Sequence, residues 1–189
     1  SLDRNVIADK VLGQGQTPTY VFTPTYIEEG HLIQQPAYSK EPMAQRNEEA
    51  IKLLEEAGYS KANPLKFSIL YNTNENHKKV AIAAASMWKA NTKGLIDVKL
   101  ENQEWKTYID SRRAGRYDAA RAGWNADYNQ ATTFGNYFLS NSSNNTAKYA
   151  NPEYDKAIAE SYVATDAEGR AKAYAKAEEI LAKDFAMTH

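Results

Sequence analysis

The sequence contains no cysteine. That absence excludes disulfides, thiolate nucleophiles and cysteine-bound metals. Histidine is scarce. His31, His77 and His189 stand far apart, none in an HExxH-type spacing, so a histidine-based zinc site is not expected. No apolar run is long enough to span a bilayer. An excess of one charge is also missing. Lys and Arg number 23, Asp and Glu 24, and the formal net charge is −1 with the signs interspersed. Such a surface offers no global field for nucleic acid or an anionic membrane, and no nucleic-acid partner is expected. There is no Gly-x-Ser-x-Gly elbow, and the GQGQ of residues 13 to 16 lacks the Lys-Ser/Thr that completes a phosphate loop. Nothing sets the separation of Asp110, Asp118 and Asp127, so no catalytic carboxylate pair is indicated. Neither enzymatic chemistry nor a cofactor is expected.

What is present is a chain of 189 residues, 42% hydrophobic and 25% charged, the composition of a globular domain. It carries 13 Tyr and 3 Trp, residues suited to surfaces that must be both apolar and hydrogen-bonding. Leu2, Val6, Ile7 and Val11 recur at helical spacing before Gly13 breaks the pattern. A long irregular stretch follows to Pro36, the kind of loop that is functional or packed on something else. In NEEAIKLLEEAGY, Ala50, Leu53, Leu54 and Ala57 mark a helix, with Asn47 as its expected cap and Gly58 as its stop.

The middle of the chain then alternates. Lys66–Asn72 reads as a strand, and HKKVAIAAASMWKAN as a helix apolar nearly all round and therefore well buried. Ile96–Glu101 reads as a strand, EWKTYIDSRRAG as a short helix and YDAARAGW as a third strand. This βαβ alternation predicts an α/β layer with a parallel sheet. The tail is helical. Asn151-Pro152 opens one helix, with Tyr154, Ala157, Ile158 and Tyr162 at core spacing. Thr165 to Glu168 has a capping-box pattern for the last helix, whose apolar stripe is Tyr174, Ala177, Leu181 and Phe185.

The residues RAGWNADYN, 121 to 129, set an arginine, a tryptophan and an aspartate at the end of the third strand. Ligands of open α/β sheets collect beyond the carboxyl ends of strands. Asp127 there can pair with an ammonium group, Trp124 can offer a ring face, and Arg121 or Arg112 can fork onto a carboxylate. Asp127 can equally cap a helix starting near Ala131 or form an Asx turn, and spacing alone favours that role. His77, Trp105 and Trp124 each follow a successive strand, which would gather them at one edge. Taken singly, His77 fits a polar surface position and Trp105 a core or staple position.

Several long stretches resemble one family. LDRNVIADKVLGQGQTP, NEEAIKLLEEAGY, ILYNTNENHKKVAIAAASMWK, QEWKTYIDSRR and RAGWNADYN are similar, in the same order, to the third domain of periplasmic oligopeptide-binding proteins. These are the solute-receptor subunits of peptide ABC importers. The resemblance runs over nearly the whole chain. It implies one lobe of a type II periplasmic clamshell, residues 1–189, with a βαβ core and extra C-terminal helices. The N-terminal lobe and a C-terminal return segment of the same protein would lie outside this chain, so peptide binding by the chain alone would be impaired. The implied ligand is a short peptide and the implied partner a membrane permease. By position, the resemblance assigns Asp127 to the peptide α-ammonium and Arg121, Arg112 and His77 to the terminal carboxylate. It assigns Trp105 and Trp124 to side-chain pockets, and Gly123 and Asn125 to backbone contacts. Asn125 stands where several relatives carry a cysteine. A receptor for murein-derived peptides and an isolated interaction lobe are the alternatives.

Overall fold

The computed structural model describes residues 2–188; Ser1 and His189 lie outside the described residues. The chain forms two compact units. One holds the residues up to Pro18 with Lys40–Ala122, the other Thr19–Ser39 with the residues from Gly123 onward. The expected α/β class is what the structure shows, with a parallel sheet and helices.

The first unit opens on α1 (Arg4–Val6), capped by Asp3, whose carboxylate accepts from Val6 N at 3.0 Å. The chain continues as a π-helical segment, Ile7–Leu12, where a plain α-helix was expected. Gly13 ends it in the left-handed region at φ 63°, its N–H reaching back to Ala8 O at 2.8 Å. Next, α2 (Met43–Glu56) starts ahead of the expected point. Pro42 occupies the N-cap and Asn47 lies in the helix interior. The proline ring fixes φ for entry into the helix but carries no side-chain acceptor, so the first turn has no side-chain cap bond. Gly58 provides the stop as expected, at φ 88°, with the N–H groups of Gly58 and Tyr59 bonded to the Glu55 and Leu54 carbonyls at 2.9 Å.

Three parallel strands follow, in the spatial order β2-β1-β3: β1 (Leu65–Asn72), β2 (Ile96–Gln103) and β3 (Ala119–Ala120). β1 and β2 stay in register from Leu65–Ile96 to Asn72–Gln103. β3 meets β1 only at Ile69–Ala119 and Leu70–Ala120, shorter than its sequence run suggests. Asp118 accounts for the shortening. Its carboxylate accepts from Ser68 N at 2.8 Å and Ser68 Oγ at 3.0 Å, so a side chain stands in for a backbone rung. Those two bonds hold the Asp118 carboxyl below its usual range. Beyond β3, Arg121 N still donates to Leu70 O at 2.8 Å.

Two helices connect the strands: α3 (Glu75–Asn91) joins β1 to β2, and α4 (Trp105–Arg113) joins β2 to β3. Because β2 and β3 flank β1 on opposite sides, right-handed crossovers put α3 and α4 on opposite faces of the sheet. On the α3 face, Phe67, Ile69 and Tyr71 pack with Leu2, Ala81, Ala84, Met87 and Trp88. The expected deep burial of α3 holds for that side only. Ala81 and Ala84 are buried, whereas Ile82 is 45% exposed. A helix apolar on several sides meets the sheet with one of them.

The second unit is built on α6 (Pro152–Val163) and α7 (Ala167–Asp184), with the single-turn α5 (Thr132–Gly135) before them. Its core gathers Val21, Ile33, Tyr137 and Phe138 with Tyr154, Ala157 and Ile158 of α6 and Tyr174, Ala177 and Leu181 of α7. Asn151 caps α6 through Glu153 N and Tyr154 N, with Pro152 in the first turn, as read from the sequence. Asp166, not Thr165, caps α7, accepting from Gly169 N at 2.7 Å. Two expected core residues are at the surface. Tyr162 is 59% exposed, with its hydroxyl on Asn136 Oδ1 at 2.6 Å. Phe185 is 74% exposed because α7 ends before it, in a left-handed residue at φ 50°.

The loop of residues 19 to 39 is packed on α7, one of its two expected states. Glu178 accepts from Phe22 N at 2.8 Å, Thr23 N at 2.8 Å and Thr23 Oγ1 at 2.7 Å. Burial pushes the Glu178 carboxyl up, against the pull of those hydrogen bonds. Further along, Glu29 Oε1 lies 2.5 Å from Arg170 Nε.

Candidate functional site

The strand order reverses at β1, so the carboxyl ends of β1 and β3 flank a topological switch point, where open α/β sheets take their ligands. Asn72 ends β1. It is buried, and its Oδ1 lies 2.7 Å from His77 Nδ1. An amide oxygen only accepts, so Nδ1 carries the proton and Nε2 is left for a ligand. His77 sits in the first turn of α3, whose cap Asn74 accepts from Asn76 N and His77 N at 2.9 and 3.1 Å. The helix N-terminus adds positive potential there. Burial lowers the basicity of His77, and the neighbouring Arg121 lowers it further.

Arg121 comes directly after β3 and is half-buried. Burial pushes its guanidinium down; Tyr108 opposes that shift and Arg112 adds to it. Arg112 lies on α4 with Cζ 5.5 Å from the Tyr108 ring centroid and Nη1 3.4 Å from the Tyr108 hydroxyl. Trp105, at the start of α4, is 60% exposed and stacks on Tyr108 at 5.8 Å between centroids. The structure therefore brings His77, Arg121 and Arg112 into one electrostatic group, with Trp105 joined to it through Tyr108. No ion pair joins His77 or Arg121 to a carboxylate among the described residues. Like charges held together and partly desolvated lower each other's proton affinity, and an arriving anion relieves both penalties.

The remaining candidates belong to the second unit. Gly123, Asn125 and Asp127 are exposed and Trp124 is half-buried. Trp124 is pinned, its Nε1 donating to Thr133 O at 2.9 Å and its ring meeting Tyr137 edge-on at 5.1 Å. Asp127 N donates to Thr133 Oγ1 at 3.0 Å. The capping role that spacing favoured for Asp127 is not what the structure shows. Ala131 is the N-cap of α5, with no side-chain cap bond. The Asp127 carboxylate stays exposed on its loop.

Two residues escaped the sequence reading. Tyr108 is 1% exposed and donates its hydroxyl hydrogen to the Arg121 carbonyl. Its signal was its place between Trp105 and Arg112 on one helical face, at i, i+3 and i+7. Asn72 could have been noticed as the polar end of an otherwise apolar strand. Among the described residues there is no group of His, Asp and Glu that could hold a metal.

The family described as Bacterial extracellular solute-binding proteins, family 5 Middle, matches residues 1–146. The chain belongs to that family. This family 5 chain is 97% identical over 185 residues to the periplasmic oligopeptide-binding protein OppA of Haemophilus influenzae, an alignment covering 98% of the chain and 34% of the relative. It is 44% identical over 181 residues to the periplasmic murein peptide-binding protein MppA of Escherichia coli, covering 96% of the chain and 33% of that protein. Among solved structures, the Haemophilus influenzae OppA complex with RPPGFSPFR matches at a TM-score of 0.97 and 95% identity, over 100% of this chain and 37% of that one. The family 5 chain spans about a third of the length of the curated relatives it matches.

Proposed function

We propose that this chain is the part of a periplasmic peptide receptor that recognises the ends of short peptides, and that the receptor delivers them to an ABC importer. The observation that carries the reading is the group formed by His77, Arg121 and Arg112 at the switch point of the sheet, where a terminal carboxylate would be taken. The exposed carboxylate of Asp127 is assigned to the peptide α-ammonium, and Trp105 and Trp124 to side-chain pockets. The backbone of Gly123 and Asn125 is assigned to the peptide main chain. Binding involves no covalent step. Fixed charges hold the termini, and hydrated pockets accept varied side chains. The likeness to a murein peptide-binding protein favours a second reading within the same chemistry, a cell-wall peptide as ligand.

The experiment is calorimetric titration of Lys-Ala-Lys against a full-length receptor in which this chain replaces its counterpart in the 97% identical relative. Peptides of every length share an amino end, whereas the position of the carboxylate varies with length. Asp127→Ala is therefore expected to weaken binding about 30-fold, near 2 kcal/mol, and His77→Ala by less than about fivefold. Equal losses would contradict the assignment.

A pH dependence follows from His77. Burial, and after it the neighbouring Arg121, hold the His77 imidazole below its usual range. A carboxylate beside Nε2 favours the imidazolium and raises that value. Binding then takes up a proton, and affinity rises as the pH falls through the interval between the raised and the lowered pKa. Titration near pH 6.5 in buffers of different ionisation enthalpy should reveal net proton uptake in the wild type and less in His77→Gln. A buffer-independent heat in the wild type would remove His77 from the carboxylate site.

A further inference from the structure

We propose that Tyr108 is a positioning residue that holds the carboxylate-recognising cations in their working geometry; this rests on the reading of His77, Arg121 and Arg112 given above. Tyr108 is 1% exposed, so it offers little surface to a ligand. What it offers is a fixed centre with a contact to each neighbour. Its hydroxyl donates to the backbone carbonyl of Arg121, tying α4 to the chain just past β3. The same oxygen accepts from Arg112 Nη1 at 3.4 Å, and the ring lies 5.5 Å from the Arg112 guanidinium carbon. Trp105 stacks on the ring at 29° between planes.

The arrangement answers a physical difficulty. Arg121 and Arg112 repel each other in a partly desolvated place, and long side chains under such repulsion spread apart unless something holds them. A neutral phenol can do so without cancelling the charge that an anion needs. Its oxygen accepts from one guanidinium, its proton goes to a carbonyl, and its π face attracts the cation. An aspartate in its place would neutralise the pair and compete with the ligand carboxylate. Helical spacing makes this possible: Trp105, Tyr108 and Arg112 share one face of α4, and Tyr108 lies between the other two.

The test uses the full-length receptor described above, with Lys-Ala-Lys and its C-terminal amide as paired probes. In the wild type, the ratio of acid to amide affinity measures carboxylate recognition. Tyr108→Phe keeps the ring and its contacts with Trp105 and Arg112 but removes the hydroxyl. The expected result is a fall of about tenfold in that ratio, with affinity for the amide unchanged. Combined with Arg112→Ala, Tyr108→Phe should cost little more than Arg112→Ala alone, because both act through the same group. Equal weakening of acid and amide, or fully additive losses in the double variant, would overturn the proposal and leave Tyr108 a core residue. A wild type that binds acid and amide alike would instead sink the carboxylate assignment on which the proposal rests.

Discussion

Arg170→Ala should lower the unfolding free energy of the chain by about 3 kcal/mol, read by urea denaturation at neutral pH. The reason is the residue left behind. Glu29 has a side chain only 2% exposed, and its partner Arg170 lies 2.5 Å away with 26% exposure. Removing the guanidinium strands a carboxylate in a place that water reaches poorly, which costs more than the ion pair itself contributes. Glu29 cannot easily escape. It sits at φ 67°, and Gly30 follows with a backbone so confined that an added Cβ would lie 2.1 Å from Pro24 O. The turn is fastened on either side, with Gly30 N on Ile27 O at 2.9 Å and Leu32 N on Glu29 O at 3.0 Å. The carboxylate must therefore stay without its cation, or the loop must lift from α7. Glu29→Gln in the Arg170→Ala background should recover at least half of the loss, because a neutral amide tolerates the same site at a lower desolvation cost. A loss below about 1 kcal/mol in Arg170→Ala would mean that water or another donor already serves Glu29.

The contrast between this pair and the rest of the fold shows what a sequence can express. Helix ends governed by one residue were legible. Gly13 and Gly58 end their helices where the patterns stop, both with positive φ, and Asn151-Pro152 opens α6. The βαβ alternation was legible because each period is local, and it places His77, Trp105 and Trp124 after successive strands. Features that depend on distant partners were not. Asp118 looks like an ordinary outward residue of a strand, yet its carboxylate replaces a rung of β1 and shortens β3 to two residues. Asp127 looks like a helix cap, but α5 begins with Ala131 at its N-cap, and it is the Thr133 hydroxyl that reaches back to Asp127 N. Tyr108 lies in a short helix whose sequence does not single it out. Its role follows from the carbonyl it meets 13 residues later. Nothing local marks Glu29 or Glu178 as a buried carboxylate, because the partners of each are more than a hundred residues away.

Glu178→Ala should be the most damaging of these changes, at about 4 kcal/mol by the same denaturation measurement. Glu178 is 8% exposed on α7, and three donors converge on it: the backbone N–H groups of Phe22 and Thr23 and the Thr23 hydroxyl, at 2.8, 2.8 and 2.7 Å. Thr23 is 2% exposed, so its N–H and hydroxyl have no ready route to water once the carboxylate is gone. Each buried donor left unpaired costs about 1–3 kcal/mol, and the cavity left by the missing side-chain atoms adds to that. One effect runs the other way. Burial pushes the Glu178 carboxyl up, so its removal also relieves a desolvated charge, which keeps the total below the sum of its parts. Glu178→Gln separates the two contributions. The amide fills the same volume without the charge, but it presents one acceptor oxygen and turns an NH2 toward a donor. Its loss should be near 2 kcal/mol, between wild type and alanine. If Glu178→Gln were as stable as wild type, the carboxylate would be filling space rather than satisfying donors. If Glu178→Ala cost less than about 1 kcal/mol, the loop of residues 19 to 39 would be held to α7 by the Glu29–Arg170 pair and by its apolar contacts, chiefly Val21 and Ile33 in the core around Tyr174 and Leu181.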